Sequence, residues 1–215
     1  MLSKKYNKYK KTFKRKKKSR KSNNTKKTCK KLKTCKKEKG GTILGSGMDG
    51  CVIDSISCNE FSKENGYVAK IVNDEATINK ELHEKLAEMD PENKRFNRYY
   101  FPKDSCVIDL EKNEDYLSCL KKGIPFEKKH IVFEKFLLPL DNDQMTKKQY
   151  RYLRDSLQIL HENNISHGDL PNNVMVDPED DLPRIIDWDR SQLNAEDLDK
   201  QMDYSAFMHF FRTKK

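Results

Sequence analysis

No stretch of this 215-residue chain approaches the roughly 18 consecutive apolar residues that a membrane-spanning helix needs, and hydrophobic residues make up only 35% of it. The start also lacks the apolar core of a secretory signal. Six cysteines stand at positions 29, 35, 51, 58, 106 and 119, none of them in a C-x-x-C pair. That spacing excludes the common zinc motifs and matches no secreted disulfide framework. The reading is therefore an intracellular protein in a reducing compartment.

Acids are almost missing from the first forty residues. There, 20 Lys/Arg face the single acid Glu38, a local charge of +19, which leaves 24 Lys/Arg against 33 Asp/Glu in residues 41–215, a charge of −9. The overall pI of 9.2 thus describes a tail and misdescribes a body. The tail has few aliphatic residues and repels itself, so disorder is expected over residues 1–40. Such a segment suits a polyanion such as nucleic acid, or serves as a nuclear address through Lys14-Arg15-Lys16-Lys17-Lys18. The plainer reading is a solubilising tail with salt-sensitive, unspecific affinity. Tyr6, Tyr9 and Phe13 are too few to build a base-stacking platform.

The body begins after Gly40-Gly41, and no internal repeat runs through it. Thr42-Ile43-Leu44, Cys51-Val52-Ile53 and Tyr67 to Val72 read as strands. A helix is expected from about Asp74 to Met89, with Ile78, Leu82, Leu86 and Met89 on one face and Asp90-Pro91 as its stop. Cys106-Val107-Ile108 and Ile131-Val132-Phe133 are further strands, with loop expected between them around Lys112 to Glu114 and Gly123. Thr146 would cap a long helix carrying Tyr150, Leu153, Leu157 and Leu160 inward. Val174 to Val176 and Arg184 to Ile186 suggest a hairpin, and a last helix would bury Leu198, Met202, Ala206 and Phe210. Strands with one helix followed by a mainly helical part predict a two-lobed α+β fold with a cleft between the lobes.

Within this frame, Gly45-Ser46-Gly47-Met48-Asp49-Gly50-Cys51-Val52 fits G-x-G-x-x-G-x-V. The residues after Gly50 prefer a strand, so the glycines would form a hairpin over phosphates rather than open a dinucleotide-binding helix. Lys70 sits mid-strand among apolar neighbours, where an ammonium needs a phosphate or a carboxylate. Glu81 is the first candidate for that carboxylate, with Glu75 and Glu84 as rivals. In Ile165-Ser166-His167-Gly168-Asp169-Leu170-Pro171-Asn172-Asn173, Asp169 is placed to orient an attacking hydroxyl, and Asn173 offers an amide oxygen to a metal, with Asn172 as competitor. Asp187 emerges from the apolar Ile185-Ile186, a costly place for an acid unless it is paired or holds a cation.

Taken in order, these motifs resemble those of the protein kinase-like superfamily, and the likeness spans roughly residues 41–211. The resemblance implies a kinase-like domain over 41–215, with an N-lobe at about 41–136 and a shortened C-lobe at about 137–215. It implies ATP and Mg²⁺ as cofactors. Asp169 and Lys70 would be catalytic. Gly45, Ser46, Gly47, Gly50, Val52, Ala69, Lys70, Glu81, Glu134 and Phe136 would bind nucleotide, and Asn173 and Asp187 would hold the metal. Phe133 would be the gatekeeper, Glu134 to Phe136 the hinge that meets adenine, and Asp203 the helix acid that braces the catalytic loop.

The departures narrow the type. Gly168 replaces the arginine of His-Arg-Asp, Asp187-Trp188-Asp189 replaces Asp-Phe-Gly, and no A-P-E segment follows. His-Gly-Asp and Asp-Trp-Asp resemble aminoglycoside and choline phosphotransferases. The end of the chain resembles minimal atypical kinases of the RIO-like and tRNA-modification-associated types, as also predicted in large DNA viruses. The expected function is ATP- and Mg-dependent phosphotransfer to protein Ser/Thr hydroxyls. The alternatives are a small-molecule phosphotransferase and an inactive kinase shell that only binds. A protein substrate is the expected partner, and the location would be cytoplasmic, nuclear through the tail, or a virion if the chain is viral.

Overall fold

The near-continuous apolar run in Tyr67–Val72 forms a strand buried on both sides, because each side meets its own apolar cluster. The computed structural model describes residues 43–46, 50–54, 56–58, 60–72, 79–102, 110–120, 130–141 and 145–212. The basic tail, Gly47 and the Cys106 to Ile108 strand lie outside them.

The architecture is mixed α+β with antiparallel sheets. Strands β1 (Ile43–Ser46), β2 (Gly50–Ile53), β3 (Tyr67–Val72) and β4 (His130–Lys135) form one sheet in that order. Helix α1 is Lys80–Met89, and α2 is Glu114–Leu120. After β5 (Leu138–Pro139) come α3 (Lys147–Glu162), β6 (Ile165–Ser166), β7 (Val174–Val176), β8 (Pro183–Ile185), β9 (Gln192–Leu193) and α4 (Asp197–Arg212). Strands β5, β7 and β8 make a second sheet, and β6 pairs with β9.

Directly opposed residues on antiparallel strands share a face, so the register divides the four-stranded sheet cleanly. Ile53, Ala69 and Phe133 are opposed, and Cys51 faces Ile71; these residues pack with Tyr116 and Cys119 of α2. On the other face Lys70 opposes Val52 and Val132. Val72 and Val132 there join a second cluster built from Leu82 and Leu86 of α1, Leu153, Leu157 and Leu160 of α3, Trp188, and Phe207 of α4. Each fully buried leucine of this set contributes about 1.5–3 kcal/mol relative to an exposed one.

Local chemistry sets the helix ends. The Asn79 side chain accepts the Leu82 N–H at 3.0 Å and starts α1. The expected start at Asp74 falls on residues 73–78, outside the described ones. Asp90 ends α1 and its carboxylate accepts the N–H groups of Lys94, Arg95 and Phe96, which turns the chain back toward β4. Thr146 and Gln149 form the reciprocal capping box at the start of α3.

Two expectations need correction. The region expected as loop contains a 3-10 turn at Leu110–Lys112 and then α2, whose Tyr116 and Cys119 are fully buried. The last helix is rotated from its expected phase: Leu198 and Met202 are 66% and 64% exposed, while Asp203 and Phe207 are buried. The helix turns Asp203 inward because its carboxylate accepts the buried His167 N–H and the neighbouring Gly168 N–H.

The cysteines also depart from the compositional reading. Cys51 of β2 and Cys119 of α2 are joined by a disulfide, with 6.4 Å between their Cα atoms, and Cys58 is disulfide-bonded too. A bridge between residues 68 apart leaves no local signature in the sequence, and it removes the cysteine argument for a reducing compartment. Closing a loop of that length removes about 4 kcal/mol of chain entropy from the unfolded state. Cys119→Ser is accordingly expected to lower the urea midpoint under non-reducing conditions; equal midpoints for oxidised wild type and variant would refute the bridge. No helix among the described residues is long and apolar enough to cross a membrane.

Candidate active site

Lys70 is the anchor. Its strand carries it into the apolar interior at 7% exposure, where burial alone would drive an ammonium to lose its proton. Against that desolvation, Tyr99, Asp189, Asp187 and Glu134 hold its pKa well above the usual lysine value. The ammonium donates to Asp187 Oδ1 at 2.6 Å, to Asp189 Oδ2 at 3.2 Å and to the Tyr99 hydroxyl. Residues 117 positions apart are thereby brought into direct contact.

Asp187-Trp188-Asp189 explains how both acids reach one ammonium. Trp188 is buried at 2%, its indole N–H donating to the Asn97 carbonyl at 3.0 Å, and its ring packs edge-on against Phe96 and tilted against His167. With the tryptophan pinned in the core, the acids on either side project together. Asp187 has a φ of 64°, an unusual conformation for a residue with a side chain and one that concentrates at functional sites. Burial works to raise the pKa of Asp187, but Lys70 outweighs it and holds the carboxyl below its usual range. For Asp189 burial wins, reinforced by the neighbouring Asp187, and its pKa is raised despite Lys70.

The loop with Asp169 is held from both sides. Asp203 of α4 accepts the backbone N–H of His167 at 2.6 Å and of Gly168 at 2.8 Å. Burial opposes its ionisation, yet His161 and those two N–H groups keep its pKa below the carboxylate norm. His167 is fully buried, its pKa lowered by desolvation, with Nε2 donating to the Ile186 carbonyl at 2.9 Å and Nδ1 accepting the Asp169 N–H at 3.3 Å. Gly168 has a φ of +77°, and a Cβ there would sit 2.6 Å from the Arg190 carbonyl oxygen. That close approach accounts for glycine between His167 and Asp169. The Asp169 side chain is 38% exposed, with Arg190 Nη1 at 3.9 Å from its carboxylate. Asn173 donates to the Asp169 carbonyl at 2.9 Å and is half-buried, whereas Asn172 is exposed.

The remaining expected site residues divide. Val52 is opposite Lys70 and shares its face. Gly50 is tightly required, since a Cβ would lie 2.5 Å from the Ile71 carbonyl oxygen, while a Cβ at Gly45 would meet nothing within 4 Å. Ser46 closes β1.

Three assignments are corrected. Ala69 and Phe133 oppose each other on the far face, in the cluster with Cys51 and Ile53, so neither lies on the Lys70 side. Glu134 does: it opposes Val68, is 9% exposed, and desolvation pushes its pKa up to about 7 even beside Lys70. The Phe136 N–H, expected at adenine, already donates to the Gly66 carbonyl at 2.8 Å. Glu81 and Glu84 are exposed on α1, which turns Leu82, His83 and Leu86 inward, so the expected Lys70–Glu81 pair is not formed. Glu75 lies outside the described residues.

Two members escaped the sequence reading. Tyr99 is 2% exposed; its hydroxyl accepts from Lys70 and donates to Asp189 Oδ1 at 3.2 Å. His83 of α1 stacks on the Tyr99 ring at 4.4 Å. Tyr99-Tyr100-Phe101 gives no motif, and its only signal is the aromatic run itself.

The cluster sets one ammonium among Asp187, Asp189 and Glu134, and burial raises the pKa values of Asp189 and Glu134, with the neighbouring acids adding to the rise. These are hard oxygen donors, and a magnesium-sized cation characteristically uses one or two carboxylates and completes its shell with phosphate and water. Asp187, Asp189 and Asn173 suit that role. Among the described residues no group of three or more His, Cys, Asp or Glu side chains is placed to hold a metal ion. No family model matches this chain, and no curated protein matches it either.

Proposed function

We propose that this protein is an ATP- and Mg²⁺-dependent phosphotransferase of the protein kinase-like type, with a two-lobed fold and protein Ser/Thr hydroxyls as acceptors. The observation that carries the reading is the meeting of Lys70 with Asp187 and Asp189, close along the chain to an Asp169 loop braced by Asp203. Lys70 would bind nucleotide phosphate oxygens with an ammonium already desolvated and oriented. Asp187 and Asn173 would hold magnesium, which would supply positive charge to the phosphates. Asp169, exposed and fixed through its backbone, would orient the acceptor hydroxyl and take its proton. Phosphotransfer to a small-molecule hydroxyl is a second reading, favoured by the tight fit of Gly168 and by Asp189.

Incubation with γ-labelled ATP and Mg²⁺ tests the proposal. Label on the protein or an added protein substrate is expected, falling about 10²-fold or more in Asp187→Ala and Asp169→Ala. Wild-type labelling by either variant would overturn the site. Label that appears only on small hydroxyl compounds would favour the second reading.

A further inference from the structure

Tyr99 is held by contacts with three residues that together do more than fill space. Its hydroxyl bridges Lys70 and Asp189, and the Lys70 ammonium also lies 4.9 Å from its ring centroid. Its backbone N–H donates to His83 Nδ1 at 3.1 Å, and the two rings stack at 4.4 Å with a 32° tilt. Next to it, Tyr100 bridges to β4, exchanging hydrogen bonds with Phe133 at 2.7 and 2.8 Å. Tyr99 is thus clamped between the sheet and α1. His83 is buried and its pKa is lowered to about 3 by desolvation, Lys70 and Arg98, so the imidazole is neutral. With Nδ1 accepting, its proton sits on Nε2, which has no partner among the described residues.

We propose that Tyr99 is the positioning residue of Lys70 and that α1 acts on the lysine through His83 and Tyr99 rather than through a helix glutamate, an inference that rests on the phosphotransfer reading. Glu81 and Glu84 face solvent, while His83 is the polar residue that α1 buries. The tie between helix and lysine is therefore neutral: a stacked ring pair and two hydrogen bonds. Tyr99 fixes the ammonium against Asp187 and Asp189, and a shift of α1 moves the tyrosine through His83.

Two readouts on Tyr99→Phe and His83→Phe test this. Both variants keep an aromatic ring; the first removes the hydroxyl, the second the Nδ1 acceptor. The fluorescence of Trp188, the one tryptophan, checks that the site is folded. In Tyr99→Phe, kcat/KM for Mg-ATP is expected to fall at least tenfold. Acylation of Lys70 by N-hydroxysuccinimidyl acetate without nucleotide, read by mass spectrometry, is expected to rise at least threefold because the ammonium loses a partner. His83→Phe should shift both measures in the same directions by smaller factors. Unchanged Lys70 acylation in Tyr99→Phe overturns the contact. Raised acylation with unchanged kcat/KM overturns the positioning role. An inactive wild type would sink the phosphotransfer reading instead, and the acylation result would still decide the Tyr99–Lys70 link.

Discussion

Asp203→Ala is expected to cost on the order of 3 kcal/mol of stability and to abolish phosphotransfer, although residue 203 touches no substrate in the proposed mechanism. The carboxylate is 3% exposed and is the acceptor for two backbone N–H groups, those of His167 and Gly168, with His161 at 3.4 Å. Alanine leaves the buried His167 N–H unpaired, at about 1–3 kcal/mol, and also removes the acceptor of the Gly168 N–H, which water reaches more easily. The loop that carries Asp169 then loses its support, and displacement of a catalytic group by about 1 Å is enough to cost 10²-fold in rate. Because the folded pKa of Asp203 is depressed, its contribution is present above the ordinary value of 3.8 and is lost as pH falls through the lower folded value. Asp203→Asn should therefore be less stable than wild type at neutral pH and should lack that acid limb. Urea unfolding followed through Trp188 checks both; a variant as stable and active as wild type would refute the bracing role.

Lys70→Met is expected to produce the second large effect, and to do so in a pH-dependent way. The lysine is the cation that lowers the pKa values of Glu134, Asp187 and Asp189. Its removal lets those values rise, most for Glu134 and Asp189, whose side chains are buried; Asp187, at 41% exposure, is partly compensated by water. A carboxyl whose folded pKa is raised contributes stability that is fully present below the unfolded pKa and lost as pH rises through the folded one. Wild type already carries such a limb from Glu134, between its ordinary 4.5 and about 7. In Lys70→Met the fall should be steeper and extend further upward, approaching the 3–5 kcal/mol typical of a broken buried pair at pH 8 and shrinking towards pH 5. Unfolding free energies measured at both pH values test the sign. A loss independent of pH would mean that the acids are not coupled through Lys70.

Several of these features were legible in the chain before any fold was known. Strand β3 was legible as a run of apolar and β-branched residues around Lys70, and α3 through Thr146 and its apolar face. Lys70 and Asp187 stood out because a charge beside an apolar run needs a partner, and Asp169 and Asn173 stood out through the pattern of their loop. The errors have identifiable causes. Strand period two already puts Val68 and Lys70 on one side and Ala69 on the other, so Ala69 was misassigned by analogy against its own parity. The apolar residues of α4 misled because Leu198 and Met202 are left exposed, the helix phase being set by the polar Asp203 and by Phe207.

The sequence by itself determined β3, α3 with its Thr146 cap, and the polar residues that stand out beside apolar runs, because these follow from contacts among neighbours within about four positions; α2 and Tyr99 left no such local signal. Tertiary structure alone decided who meets whom. The choice of Asp187 and Asp189 over Glu81 depends on the rotation of α1 and on the anchoring of Trp188. The Cys51–Cys119 bridge and the Tyr99–His83 stack likewise join residues 68 and 16 apart. Pairings of that range carry no local periodicity; packing creates them by removing water from around a charge or a ring until only one partner remains within reach.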